Sequence, residues 1–282
     1  MIKASRIINI YILTGAVLLF LFWFLIWHLD GLRSHFTFFP LWLGYILLIG
    51  GLTARRKGSS LLTRNFKSWC LLFIFSAPVW WIFEWLNKMA YYWTYLGVES
   101  FSDLEYNIFA TISFSTVIPA VFSTSEWVET FHIGDNFTNG IKVGVHRSTR
   151  LLFFTTGWLM LLVFLLWPKY GAAFLWMSLY FIIDPLNYRL GFPSLLKMTS
   201  KGDWSAVIQL WIASLICGFL WEMWNYFAYP KWIYNVPFVD DWHIFEMPAL
   251  GYLGYLPFSL ELYAMYHLIT GLLKIKPVSN FV

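Results

Sequence analysis

The sequence has little charge and almost no cysteine. Only 12% of its 282 residues are charged, against roughly 25% in a typical soluble domain, whereas 59% are hydrophobic and 22% aromatic. This composition excludes an ordinary soluble domain and predicts an all-α polytopic membrane protein. The two cysteines, Cys70 and Cys217, lie inside apolar runs, which argues against a disulfide framework or a thiolate metal site.

Motifs that bind nucleotides or metals are missing from the sequence as well. There is no G-x-G-x-x-G after a strand, no P-loop and no serine elbow, and no two histidines are spaced i, i+4. We therefore expect no metal and no cofactor, with a haem bound by two histidines as the alternative. The net charge of +4 comes from bases scattered over short loops, so we expect no nucleic-acid partner.

Apolar runs predict eight membrane-spanning helices. The first run is followed by no small-residue cleavage site, so we interpret it as a spanning helix and not as a signal peptide. The second and sixth runs are short for a span of about 20 residues and are expected to be tilted or partly re-entrant. The runs lie near residues 8 to 28, 39 to 53, 68 to 88, 107 to 127, 149 to 167, 171 to 187, 205 to 229 and 244 to 270.

The positions of the basic residues predict the orientation. With the N-terminus inside, all but four of the nineteen lysines and arginines fall on the inner side of the eight segments. The four on the outer side are Arg33, Lys88, Lys169 and Lys231. Because basic residues collect on the cytoplasmic side of a membrane, we expect both termini to be cytoplasmic and the protein to lie in a bacterial inner membrane.

The two halves of the sequence carry the same short pattern. The stretches FEWLNKMAYYWTY, residues 83 to 95, and WEMWNYFAYPKWIY, residues 221 to 234, both contain Glu-x-x-Asn-x-x-Ala followed by Trp-x-Tyr. Each half has four predicted helices, and an even number makes the copies parallel, related by an axis along the membrane normal. The sequence therefore predicts two tandem parallel four-helix repeats, residues 1 to 140 and 141 to 282.

Carboxylates inside the apolar runs mark a candidate site, because ionisable groups are costly in a membrane and usually face the bundle interior. A spacing of three residues puts Glu84 with Asn87, and Glu222 with Asn225, on one helix face. Glu246 is expected to begin the last helix on the same side, so we predict that Glu84, Glu222 and Glu246 are catalytic. The predicted substrate-binding residues are Asn87, Asn225, Trp93, Tyr95, Trp232 and Tyr234. The alternative is that the polar residues join helices and that the aromatic ones belong to the membrane interface.

These residues resemble the integral-membrane lycopene cyclases, a family of two tandem helical repeats without a flavin-binding fold. Each family repeat has an acidic or amide residue late in a helix, then an alanine and a Trp-x-aromatic stretch. The matching residues are Asn87, Ala90, Trp93 and Tyr95, and then Asn225, Ala228, Trp232 and Tyr234. The family's Pro-x-Glu-Glu is represented only by Glu246-Met247-Pro248, in reversed order, and the first half has no acid there. The resemblance implies a carotenoid or other isoprenoid substrate.

The chemistry of such a substrate is compatible with these residues. Cyclising or hydrating a polyene begins with protonation of a double bond by a carboxylic acid that burial keeps neutral, a role open to Glu222 or Glu246. Aromatic faces then stabilise the carbocation, and no cofactor is required. Two other functions stay open: a proton- or cation-coupled transporter or channel, with Asp184 and Glu261 completing the path, and a non-catalytic subunit of a larger membrane complex. Homo- and hetero-oligomers in the membrane are both compatible with the sequence.

Overall fold

The structure, a computed structural model, describes residues 2 to 239 and 241 to 278. This part of the chain is all-α apart from four very short strands. The helices are α1 (Ile2–His28), α2 (Ser34–Lys57), α3 (Leu61–Arg64), α4 (Phe66–Ala90), α5 (Asp103–Phe114), α6 (Val117–Glu129), α7 (Arg147–Leu166), α8 (Ala172–Leu190), α9 (Leu195–Thr199), α10 (Ser205–Tyr226) and α11 (Tyr255–Leu272). The strands are β1 (Trp93–Leu96), β2 (Lys231–Tyr234), β3 (His243–Ile244) and β4 (Met247–Pro248).

Within the described residues, six helical segments are long and apolar enough to cross a membrane. They are Arg6–His28, Ser34–Lys57, Phe66–Ala90, Asp103–Glu129, Arg147–Leu166 and Ser205–Tyr226. The second predicted run, expected to be short, is the 24-residue helix α2. The sixth and eighth runs correspond to α8 and α11, which are not among the six: α8 carries Asp184, Asn187 and Arg189, and α11 carries Glu261 and His267.

The last helix begins at Tyr255 and not near residue 244, so the prediction that Glu246 begins it is wrong. Glu246 and Phe245 form the turn between β3 and β4, where Phe245 has a left-handed φ of 60°. A helix cannot pass through that conformation, and Pro248 has no amide hydrogen to donate. Residues 249 to 254 then form a 3-10 turn that leads into α11.

Two peripheral helices pack on their neighbours through glycine. At Gly15 of α1 an added Cβ would lie 2.4 Å from the backbone nitrogen of Leu48 in α2. At Gly157 of α7 it would lie 2.8 Å from the backbone nitrogen of Ile182 in α8. Small residues let backbones approach closely, which is how membrane helices associate without a hydrophobic driving force. The other faces of α1 and α7 expose apolar side chains suited to lipid, such as Leu13 and Leu159.

The central elements surround an aromatic interior. One polar side chain shapes it: the Ser76 hydroxyl of α4 donates to the carbonyl of Phe114 at 2.6 Å and accepts from the amide of Ile118 at 3.0 Å. These two backbone groups would bond to each other in a continuous helix, so Ser76 stands between α5 and α6 at the point where one segment becomes two. Phe114 therefore turns toward α4, where its ring packs on Trp80 and Trp81.

The two halves meet in a two-stranded antiparallel sheet. Strand β1 follows α4 and β2 follows α10, and the register pairs Trp93 with Tyr234 and Tyr95 with Trp232. The Trp-x-Tyr stretches found in the sequence are therefore direct neighbours, although more than a hundred residues separate them. Main-chain hydrogen bonds of this ladder fix their relative positions.

The predicted orientation is tested by the reactivity of two exposed positions, Lys57 and Lys88. In a chain whose Cys70 and Cys217 are replaced by serine, Lys88→Cys is expected to react with a membrane-impermeant maleimide added outside intact cells. Lys57→Cys is expected to react only after permeabilisation, because basic residues collect on the cytoplasmic side and the end of α2 is therefore predicted to lie there. Efficient labelling of position 57 in intact cells would refute this topology.

Candidate functional site

The two asparagines of the repeated pattern hold the chain where it leaves a helix. The Asn87 amide donates to the carbonyl of Trp93 at 2.7 Å and accepts from the amide of Tyr92 at 2.9 Å. Asn225 makes the matching bonds to the backbone of Trp232, donating at 2.7 Å and accepting at 3.0 Å. Each asparagine thus ties the last turn of its helix to the first residues of the following strand. The bonds satisfy backbone groups that would otherwise be buried without partners.

Glu84 lies one turn before Asn87 on α4 and is 6% exposed. One of its oxygens, Oε1, accepts three hydrogen bonds: from Trp80 Nε1 at 2.9 Å, from Trp93 Nε1 at 3.0 Å and from the Tyr95 hydroxyl at 2.5 Å. Trp80 belongs to the same helix, one turn earlier. The other two donors come from β1, whose position Asn87 fixes.

Glu222 occupies the corresponding place on α10 and is 0% exposed. Its Oε1 accepts from the hydroxyls of Tyr234 and Tyr255, both at 2.8 Å, and its Oε2 from Trp232 Nε1 at 3.3 Å. Tyr234 and Trp232 come from β2, as Tyr95 and Trp93 come from β1 at Glu84. The third donor differs, because Tyr255 lies in the first turn of α11.

The tyrosines of the two strands are held as hydrogen-bond donors. Burial, and then the neighbouring Glu84 carboxylate, raise the pKa of Tyr95 well above its usual range. Burial and the Glu222 carboxylate do the same to the pKa of Tyr234. Both hydroxyls therefore keep their protons at neutral pH and donate hydrogen bonds to the carboxylates.

A cavity of about 600 Å³ lies between the two clusters. Its wall includes Glu222 and all six donors named above, Trp80, Trp93, Tyr95, Trp232, Tyr234 and Tyr255. Phe258 lies at its inner side with its ring edge-on to Trp80 at 5.7 Å and to Trp176 at 5.6 Å. Glu84 is not among the wall residues that the structure describes, so the cavity is in contact with the hydrogen-bond donors of Glu84 but not with Glu84 itself. The cavity is thus mainly apolar and rich in aromatic rings, with a few converging polar groups.

Glu246 lies at the edge of this arrangement and is not a hydrogen-bond partner of Glu222. It forms an ion pair with Lys231, whose ammonium group also donates to the carbonyl of Tyr226 at 3.2 Å. Lys231 lines the cavity. The structure therefore brings Glu222, Asn225, Trp232 and Tyr234 into one cluster, and Glu84, Asn87, Trp93 and Tyr95 into another, with Glu246 beside the first.

The sequence analysis missed three wall residues. Tyr255 and Trp80 are direct partners of the carboxylates, and only Trp80 had a local signal, because it lies one helical turn before Glu84. His35, in the first turn of α2, packs between Phe101 and Phe109, and its buried Nδ1 has no partner among the described groups. Neither Tyr255 nor His35 is close in sequence to the pattern, so no spacing could have pointed to them.

Asp184 and Glu261, the two carboxylates of the alternative relay, bind backbone amides. Asp184 accepts from the amides of Leu195 and Leu196 at 2.8 Å each, at the start of α9. Glu261 of α11 accepts from the amide of Leu179 in α8 at 3.1 Å. Both side chains therefore join elements of the second half to each other.

No known family model, no curated protein and no solved structure matches this chain.

Proposed function

We propose that the chain binds an isoprenoid or another lipid-soluble polyene in the aromatic cavity and modifies it by acid catalysis. The observation that carries this proposal is the position of Glu222, a fully buried carboxylate at the wall of an apolar cavity that is rich in aromatic rings. Small-molecule sites are mostly apolar clefts of about 300 to 1,000 Å³ with a few converging polar groups, and the cavity has this character.

In this proposal the carboxylate and the rings have separate tasks. Glu222 supplies the proton that turns a carbon–carbon double bond into a carbocation. The faces of Trp80, Trp176 and Trp221 then surround the positive charge, and a cation over an aromatic face gains about 2 kcal/mol when water is excluded. The cation loses a proton from a neighbouring carbon, the Glu222 carboxylate recovers a proton, and the product is a rearranged or cyclised isomer of the substrate, a balanced reaction that needs no cofactor. The residues that match the lycopene cyclases are those that hold Glu84 and Glu222.

We also infer that the two halves, residues 1 to 140 and 141 to 282, are diverged copies of one four-helix unit. The matching bonds of Asn87 and Asn225 and the matching donors of Glu84 and Glu222 support this. So does the strand register, in which Trp93 faces Tyr234 and Tyr95 faces Trp232. The two pairs are reciprocal, because each joins a tryptophan of one strand to the tyrosine of the other, and a two-fold axis between the halves produces such reciprocal pairs. In this proposal α8 and α11 are the sixth and eighth spans, the copies are parallel, and the protein lies in a bacterial inner membrane.

The relay alternative receives no support from Asp184, because both of its carboxylate oxygens accept from backbone amides. At Glu261 only Oε1 accepts from a backbone amide, that of Leu179, and we keep the relay as the alternative function.

Co-purified lipid tests the binding half of the proposal. Ala110 of α5 lines the cavity, so Ala110→Phe is expected to fill part of it and to lower the amount of isoprenoid that co-purifies with the protein about tenfold, as measured by mass spectrometry. Ile108→Phe is the matched control, because Ile108 is exposed on the same helix and is not a wall residue. A wild-type protein that carries only bulk phospholipid, or equal lipid in both variants, would contradict the proposal.

A further inference from the structure

The buried carboxylate of the site has no surface of its own. Glu222 is 0% exposed, and the hydroxyls of Tyr234 and Tyr255 bind the same oxygen, Oε1, at 2.8 Å. Both tyrosines are half-buried and line the cavity. Glu222 is a wall residue of the cavity but has no exposed surface, so a molecule in the cavity contacts the two phenol groups, and either phenol can carry a proton between Glu222 and that molecule.

Tyr255 is held in a fixed position for this contact. Its ring stacks on Trp221 with centroids 6.0 Å apart and planes 26° apart. Behind it lies Gly218, where an added Cβ would come within 2.4 Å of the Tyr255 ring atom Cε2. Because residue 218 is glycine and has no side chain, the Tyr255 ring can occupy this space. The Tyr255 hydroxyl is thus directed at Glu222 by packing of its ring against Trp221 and Gly218.

Among the described hydrogen bonds, the first-half cluster has one hydroxyl that donates to its carboxylate. Glu84 accepts from one tyrosine, Tyr95, and from the indoles of Trp80 and Trp93. An indole N–H donates a hydrogen bond but has no lone pair with which to accept a proton, so it cannot relay one. A tyrosine hydroxyl both donates and accepts. Of the two clusters, only that of Glu222 has one hydroxyl for a departing proton and another for a returning one.

We infer that Tyr255 is the group that protonates the substrate, with Glu222 behind it as the proton source and Tyr234 as the return path. At the start of the reaction Glu222 is protonated and donates to the Tyr255 oxygen, while the Tyr255 hydroxyl, which donates to Glu222 at 2.8 Å in this structure, turns to the alkene. The Tyr255 O–H bond then breaks as a new C–H bond forms on the alkene, and the Glu222 proton moves to the Tyr255 oxygen. This leaves a substrate cation and a Glu222 carboxylate. The cation then loses a proton from a neighbouring carbon to the Tyr234 oxygen, while Tyr234 passes its own proton to Glu222. The enzyme returns to its starting state and the product is an isomer of the substrate.

This inference rests on the proposed function, and deuterium uptake from D₂O distinguishes a failure of the inference from a failure of the proposed function. The purified full-length protein is reconstituted in phospholipid vesicles containing lycopene as the acyclic polyene probe, in D₂O, and deuterium in the recovered polyene is measured by mass spectrometry. The wild type is expected to introduce deuterium. Tyr255→Phe is expected to slow this about 100-fold or more, a typical cost of losing a proton donor. Tyr252→Phe is the matched control, because the Tyr252 hydroxyl bonds only to the carbonyl of Ile244 among the described groups, at 3.2 Å.

A wild type that introduces no deuterium would overturn the proposed function and the inference with it. An active wild type with a folded Tyr255→Phe variant of equal rate would overturn the inference alone, leaving Glu222 to act directly. As a second measurement, 3,5-difluorotyrosine at position 255 keeps the ring and the hydroxyl but makes the phenol more acidic. The pH profile of deuterium uptake is expected to shift to lower pH, whereas a merely structural tyrosine would leave the profile unchanged.

Discussion

Glu222→Gln is expected to lower turnover of the polyene by roughly 100-fold or more while the protein stays folded. Glutamine keeps the size of the side chain, and its carbonyl oxygen can still accept from Tyr234 and Tyr255. Its NH₂ group then faces Trp232 Nε1, which costs one hydrogen bond, about 1 kcal/mol of stability. What the variant cannot do is hold a transferable proton. The measurement is the rate of deuterium uptake and product formation in vesicles, beside the melting temperature of the purified protein.

Glu84→Gln is the matched control for this prediction. Its surroundings resemble those of Glu222, but the cavity does not reach it, so the rate is expected to stay within about threefold of the wild type, well short of the loss of a proton donor. Equal rates for Glu222→Gln and the wild type would show that Glu222 only joins elements. A larger loss in Glu84→Gln than in Glu222→Gln would move the reaction to the first-half cluster.

The second large effect concerns stability. Asn87→Leu removes the partners of two buried backbone groups, the carbonyl of Trp93 and the amide of Tyr92, and is expected to lower the free energy of unfolding by about 2 to 4 kcal/mol. Asn225→Leu is expected to cost a similar amount, because its bonds to Trp232 match those of Asn87. Reversible unfolding in detergent, followed by tryptophan fluorescence, measures both.

Asn107→Leu serves as the control for the two asparagines. Asn107 is exposed on α5, and its replacement is expected to change the free energy of unfolding by less than about 0.5 kcal/mol. A loss below about 1 kcal/mol in Asn87→Leu would mean that water or another group takes over the exposed backbone partners. Strongly unequal losses at positions 87 and 225 would argue against equivalent roles in the two halves.

Much of the fold could be predicted because its signals are local. Apolar length indicated helices in all eight places, and the structure has a helical segment at each of them, six with the length and hydropathy of a membrane span. The start of the last helix could not be predicted, because hydropathy carries no information about backbone torsion angles such as the left-handed φ of Phe245. Glu246 was assigned to a helix for this reason, and it lies in a turn where Lys231 pairs with it.

The sequence by itself determined the apolar segments and the helix faces that carry Glu84 with Asn87 and Glu222 with Asn225. These features depend on residues that are close together in the sequence, so composition and the period of the helix are enough to find them. Only the tertiary structure decided that β1 pairs with β2, that Tyr255 reaches Glu222 and that Glu246 binds Lys231. Those contacts join residues that are distant along the chain, and they depend on how whole elements pack, down to the missing side chain of Gly218. No local pattern records that packing, because each element could present the same residues to a different neighbour.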